Sequence, residues 1–327
     1  MQNYEDTIKE YTDGLPKTDY TKPYLPSDEF SRKEGDLSIG LVIQDTKGNE
    51  YVWVEVPKTI YDNESYNTET IKGDKKPNPG EEYTENDYDN IEYCLKKHTK
   101  DYLSSSHKDI YAEDTTIKNG WFTGEEEYNT AKQKMLKSVY ENGGFWVGRY
   151  EAGIENESDV RTSNREGIAT VPSLIPVIKQ NMYPYNHVTR TQAKVLAEKI
   201  GGENYISSLM FGIQWDLILK FIEEETVENA KEEDKEKTRT NIKNALTSTS
   251  YYNNKYIGNY QDNLWNITND KVKYSKGFKI SFTSCPYKKS YSEYVLLTTG
   301  ADESFSLMNI YDIAGNVWEW TLEYLQY

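Results

Sequence analysis

Cysteine and histidine are scarce in this chain of 327 residues, which holds two of the first and three of the second. Cys94 and Cys285 are far apart and form no Cys-x-x-Cys pair, so no zinc ribbon or thioredoxin-like redox motif is written here. One disulfide and two buried free thiols both fit the count. His98, His107 and His187 do not share a helical face with a third ligand and read as ordinary surface or half-buried histidines. Positive charge is also short. With 38 Lys and Arg against 54 Asp and Glu, the net charge is -16 at pH 7. That excludes the basic footprint of a nucleic-acid partner and adsorption to anionic lipid. No apolar run reaches the length of a membrane span. The first five residues show neither a basic n-region nor an apolar h-region, so no signal peptide is visible. Neither a Gly-x-Ser-x-Gly elbow nor a Gly-x-x-x-x-Gly-Lys-Ser/Thr phosphate loop occurs.

Tyrosine is plentiful, at 29 against 8 phenylalanines. It joins a stackable ring to a hydroxyl at low entropic cost, which suits recognition surfaces, although many of these rings will simply tile the fold. In chain order, residues 1–36 are polar with Pro16, Pro23 and Pro26, and read as an extended leader over the surface. Residues 37–44 and 51–56 flank the turn 45–49. In the second run Val52, Val54 and Val56 alternate with Tyr51, Trp53 and Glu55, which predicts a β-hairpin with one buried face. A helix is expected from Thr84 in capping-box fashion, and another over 125–140 that stops at Asn142-Gly143-Gly144. A strand follows over 145–152. A third helix is capped at Thr189 or Thr191 and ends at Gly201-Gly202. A fourth starts near Gln214 and runs through Glu223-Glu224-Glu225 to about Lys237, its charged part a solvated face. Short strands are expected over 279–282 and 294–297. The fold class is α+β, one domain with much irregular loop.

Three stretches carry more. The chain reads Asp312-Ile313-Ala314-Gly315-Asn316-Val317-Trp318-Glu319-Trp320-Thr321 near its end. It reads Phe145-Trp146-Val147-Gly148-Arg149-Tyr150-Glu151-Ala152-Gly153 in the middle, and Tyr51-Val52-Trp53-Val54-Glu55-Val56-Pro57 early. In this order they resemble the formylglycine-generating-enzyme, or sulfatase-modifying-factor, family. Its members carry N/D-I/L-x-G-N-V/A-W-E-W-T and F-x-I-G-K/R-Y-E segments. The resemblance implies a C-type-lectin-like fold over residues 37–327, with helical insertions near 58–140 and 223–247. Trp146, Tyr150, Trp318 and Trp320 would then be core residues.

The family's enzymes hold copper on a cysteine pair after the W-E-W segment. This chain has no cysteine there, and the family's closing R-G-G-S and G-F-R segments are missing. The resemblance therefore implies a non-catalytic bacterial or phage member, truncated at its C-terminus. Such a protein would be a recognition module whose ligand is a glycan or a surface protein, placed outside the cell or on its surface. The rival reading is a fragment of a copper oxidase or a related nonheme metal oxidase. By position, the resemblance also implies a structural Ca²⁺ held by side-chain oxygens of Asp312 and Glu319 and backbone carbonyls of Gly315 and Val317. Hard carboxylate and carbonyl oxygens are what that ion takes. The alternative is that Asp312 caps a turn while Glu319 pairs with an arginine.

Overall fold

The computed structural model describes residues 14–63, 81–102, 110–117, 119–161, 168–277 and 281–323. It is an α+β protein whose largest sheet has four antiparallel strands in sequential order: β1 (Phe30–Glu34), β2 (Val42–Asp45), β3 (Glu50–Glu55) and β4 (Gly144–Gly148). The β2–β3 hairpin forms where alternation predicts it. Asp45 closes its turn by accepting from the backbone N–H of Lys47 and of Asn49, at 2.9 and 2.8 Å. β4 arrives from about ninety residues later and pairs Trp146 with Trp53.

The hairpin departs from expectation in being buried on both faces. Val42, Val52, Val54 and Val56 belong to the largest core. Leu41, Ile43 and Trp53 belong to a second one on the reverse side. The N-terminal segment covers that reverse side with Leu15 and Phe30, and with Tyr24 and Leu25 at its edge. Thr21 is fully buried there. Its hydroxyl donates to the Gly143 carbonyl and accepts from the Trp53 indole, both at 2.8 Å.

The opposite face is covered by helices. α1 (Glu85–His98) and α2 (Glu125–Asn142) start and stop where caps predict. Thr84 and Asp87 form the capping box of α1, and Gly143, at φ 66°, ends α2 in the left-handed conformation that glycine adopts freely. α3 (Arg190–Ile200) is capped by Thr189 and Gln192. α4 (Gly212–Glu228) lays Ile213, Leu217, Ile218, Phe221 and Ile222 into the main core.

The expected single helix to Lys237 is two. α4 ends at Glu228, and α5 (Lys235–Asn244) follows after a turn. Ile242 explains the break, because it is fully buried in the main core and brings α5 back over α4. The charged stretch is likewise no uniformly solvated face. Glu223 is 1% exposed and accepts from Tyr102 Oη and Arg239 Nη1, each at 2.7 Å, and from Lys220 Nζ at 3.3 Å.

The last third is short strands around a small core of Ile267, Val272, Cys285, Val295, Leu297 and Phe305. The expected strand at 294–297 is present as Val295–Leu297, paired with Lys273–Lys276. Of the one at 279–282, residues 279 and 280 lie outside the described residues, as does His107, and Ser281 and Phe282 are not in a strand. Cys94 and Cys285 are both buried, sit in different cores and are not joined by a disulfide. Among the described residues no helix is long and apolar enough to cross a membrane.

Candidate functional site

The loop from Asp312 to Trp320 is shaped by residue types that tolerate unusual backbone angles. Asp312 sits at φ 56°, Gly315 at 76° and Asn316 at 62°. Asp, Asn and Gly are the residues that enter this region at least cost. Gly315 has a second reason to be glycine, since a Cβ there would lie 2.3 Å from the Asn259 carbonyl oxygen. The facing glycine is equally tight, for a Cβ on Gly258 would lie 1.8 Å from the Ala314 oxygen. Two backbones therefore run side by side, joined by a parallel bridge between Asn259 and Gly315.

Side chains lock that contact. Asn316 Nδ2 donates to Glu151 Oε2 at 2.8 Å, and its Oδ1 accepts from Leu297 N at 2.9 Å and from Asn259 Nδ2 at 3.0 Å. Asn259 also donates to the Val295 carbonyl at 2.7 Å and accepts from the Trp265 indole at 3.0 Å. The loop is anchored at both ends. Before it, Tyr311 N donates to the Arg149 carbonyl at 2.9 Å. After it, Leu322 is buried in the main core and its N–H donates to the Met210 carbonyl at 3.0 Å. Glu323 accepts from Gly212 N at 2.5 Å and from Tyr128 Oη at 3.1 Å, placing a carboxylate at the positive N-terminus of α4.

Inside this frame stand three carboxyl groups. Asp312 is 4% exposed and its Oδ2 accepts from Gly300 N at 2.6 Å. Burial pushes its pKa up to about 7, and the Gly300 N–H restrains the rise. Glu319 lies on the exposed side of the loop. Its carboxyl is nonetheless pushed up to about 8, by desolvation first and then by Asp312. Glu151 is raised well above the carboxylate range by burial, then by the charges of Asp312 and Glu319. Its hydrogen bonds from Asn316 and from the Val317 N–H oppose the rise. The other oxygen of Glu151, Oε1, is sealed from solvent and has no hydrogen-bond partner.

Of the four residues expected around a metal, Asp312 and Glu319 are brought within electrostatic reach of each other, on the loop that carries Gly315 and Val317. Sequence reasoning missed that Glu151 joins them. Its signal was in the sequence, as the one carboxylate of the strand segment, yet nothing in spacing says that residues 151 and 312 meet. Among the described residues no group of three or more His, Cys, Asp or Glu side chains is placed so that it could hold a metal ion.

Tyr150 is buried, as expected, while Trp146 is half-buried at the edge of the second core. Trp318 and Trp320 are not core residues: they are 97% and 45% exposed. The reason is the anchoring. Tyr311, Ile313 and Leu322 take the buried positions on either side, and residues 318–320 between them are exposed. Trp320 keeps one tie, its Nε1 donating to the Val188 carbonyl at 3.1 Å.

His98 is buried, with Nε2 3.5 Å from Glu224 of α4, and His187 precedes α3 with its carbonyl accepting from Arg161 Nε. Neither adjoins the loop's carboxylates in any contact above. Comparison with protein-family models, curated proteins and solved structures returns no match to this chain.

Proposed function

We propose that the chain is a non-enzymatic recognition module with a C-type-lectin-like core of the formylglycine-generating-enzyme type, whose W-E-W arch is held by a structural Ca²⁺. The observation that carries this reading is Glu151 Oε1. A sealed carboxylate oxygen without a donor, beside two further carboxyl groups, costs free energy unless a cation meets it. The donor set fits the ion: Asp312, Glu319 and Glu151 supply hard oxygens, and the carbonyls of Gly315 and Val317 complete the set implied by the resemblance. The ion's part is to neutralise the carboxylates and fix the loop. The protein's own part is to keep the arch rigid and its indoles outside. Two of the three stretches that carry the resemblance also meet here, through the Asn316–Glu151 hydrogen bond and, just before the loop, the Tyr311–Arg149 one.

A calcium titration followed by thermal melting tests the ion. Calcium at a hundredfold excess over its dissociation constant contributes about 2.7 kcal/mol, so a rise on the order of 5 °C is expected. A melting temperature indifferent to both Ca²⁺ and chelator removes the ion from the proposal. Binding to a glycan array, measured with Ca²⁺ and with chelator, then separates a sugar ligand from a protein ligand.

A further inference from the structure

We infer that the arch at residues 317–321 is a docking knob for a protein partner, and that the partner closes a positively charged segment around Trp318. This rests on the recognition reading above and names the kind of ligand.

An indole that is 97% exposed touches almost nothing of its own chain. Its large apolar area leaves water only when something else covers it. The arch is not a loose end, because both of its flanks are tied into the core by the Tyr311, Leu322 and Glu323 contacts, and Trp320 is tied to Val188. Holding the knob in place beforehand lowers the entropy lost on docking.

The apolar surface extends beyond it. The Asn259–Gly315 bridge lays the 258–264 segment alongside the loop. That segment shows Tyr260 at 37% and Leu264 at 60% exposure, and Tyr251 on the neighbouring hairpin is 45% exposed. Tyr260 is close enough to Glu319 to feel its charge, and it bonds Ser250 beside Tyr251. A protruding ring that packs on nothing is not a wall of a ready-made pocket. The ligand has to bring the enclosing surface, which argues for a polypeptide.

Charge selects the kind of polypeptide. At the surface, segments 251–264 and 312–323 show Asp262 and Glu319 against one cation, Lys255. The whole molecule carries -16, which attracts a basic partner and repels a second copy. Lys and Arg also stack favourably on an indole face.

The test uses the full chain with Ca²⁺, immobilised and panned against phage-displayed random dodecapeptides. Enriched peptides are expected to be rich in Lys and Arg. Their affinity should fall about 30-fold in Trp318→Ala, the loss typical of a buried tryptophan anchor, and should weaken with added salt. Trp318→Ala is expected to melt with the wild type because the side chain is already in solvent. Asp262→Lys should weaken the same peptides. Uncharged binders, binders indifferent to Trp318→Ala, no binders at all, or Trp318-dependent self-association in the ultracentrifuge would each overturn the inference. Calcium-dependent glycan binding that survives Trp318→Ala would sink it while leaving the recognition module standing. Absence of any ligand on both array and phage, with melting indifferent to Ca²⁺, would sink both.

Discussion

Glu151 has one oxygen bonded by Asn316 and one oxygen with nothing, and that asymmetry makes its substitution informative. Glu151→Gln keeps the shape and replaces a carboxyl that burial, with Asp312 and Glu319 beside it, forces to keep its proton in the folded, metal-free chain. Without calcium the variant should therefore melt higher than the wild type at pH 8, where the loop's carboxylates are under most pressure to ionise. With calcium the order should invert, because the ion has lost one of its charges. Paired melting curves with chelator and with Ca²⁺ read both signs at once. A variant that lies below the wild type in both conditions would show that Glu151 is a packing residue and not part of a cation's surroundings. Arg149, two positions earlier, is a paired charge, although its Nε, like Glu151 Oε1, is sealed without a hydrogen-bond partner. Its guanidinium pairs with Glu34 and with Glu50 and lies over the rings of Tyr150 and Tyr311, 5.5 Å from each centroid.

Among the elements, α4 and α5 depend most on a group that composition alone mislabels. Glu223 belongs to a Glu-rich run, yet it is the point where α1's end, α4 and α5 are joined, through Tyr102, Lys220 and Arg239. Removing a buried partner leaves the others uncompensated. Glu223→Ala should cost about 3 kcal/mol, the lower end for a buried pair, since Arg239 keeps 40% of its side chain in solvent. Urea denaturation measures it, and a loss below about 1 kcal/mol would mean that the network is a surface one.

The helix starts and stops, the β2–β3 hairpin and the Val295–Leu297 strand were legible in the sequence because each depends on a few neighbouring residues: a cap, a glycine, an alternation. The break between α4 and α5 was not, because it depends on Ile242 meeting a core built largely from other segments. The second buried face of the hairpin was hidden for the same reason, its cover being the proline-containing N-terminal segment. At the site, Asp312 and Glu319 could be picked out by their loop, whereas Glu151 required a contact spanning 165 positions. The exposure of Trp318 ran against residue type altogether. Apolar character sets a preference for burial, and the anchors at Tyr311 and Leu322 override it.

For the molecule as a whole, the loop predicts how stability follows pH. In the folded, metal-free chain Asp312 holds its proton to about 7 and Glu319 to about 8, against 3.8 and 4.5 for ordinary carboxyl groups. Well below 3.8 both are protonated in either state and contribute nothing to the slope. As pH rises from there, the unfolded chain gives up these protons first, so each step favours unfolding until the folded groups ionise too. The chelated protein should thus lose stability between about pH 4 and 8 and level off above. Glu55 and Glu225, each pushed up to about 7 by burial, pull in the same direction. His98, held below its usual range by burial, pulls the other way. None of these three is a ligand of the proposed ion, so the difference between calcium-loaded and chelated protein isolates the loop. Calcium favours the ionised carboxylates, and its stabilisation should therefore grow with pH across the same window. Urea midpoints at about pH 5, 6, 7 and 8, at constant ionic strength with and without Ca²⁺, give the two curves. Curves that stay parallel would mean that the three carboxyl groups release no protons to the ion, and the loop would then be held by its hydrogen bonds alone.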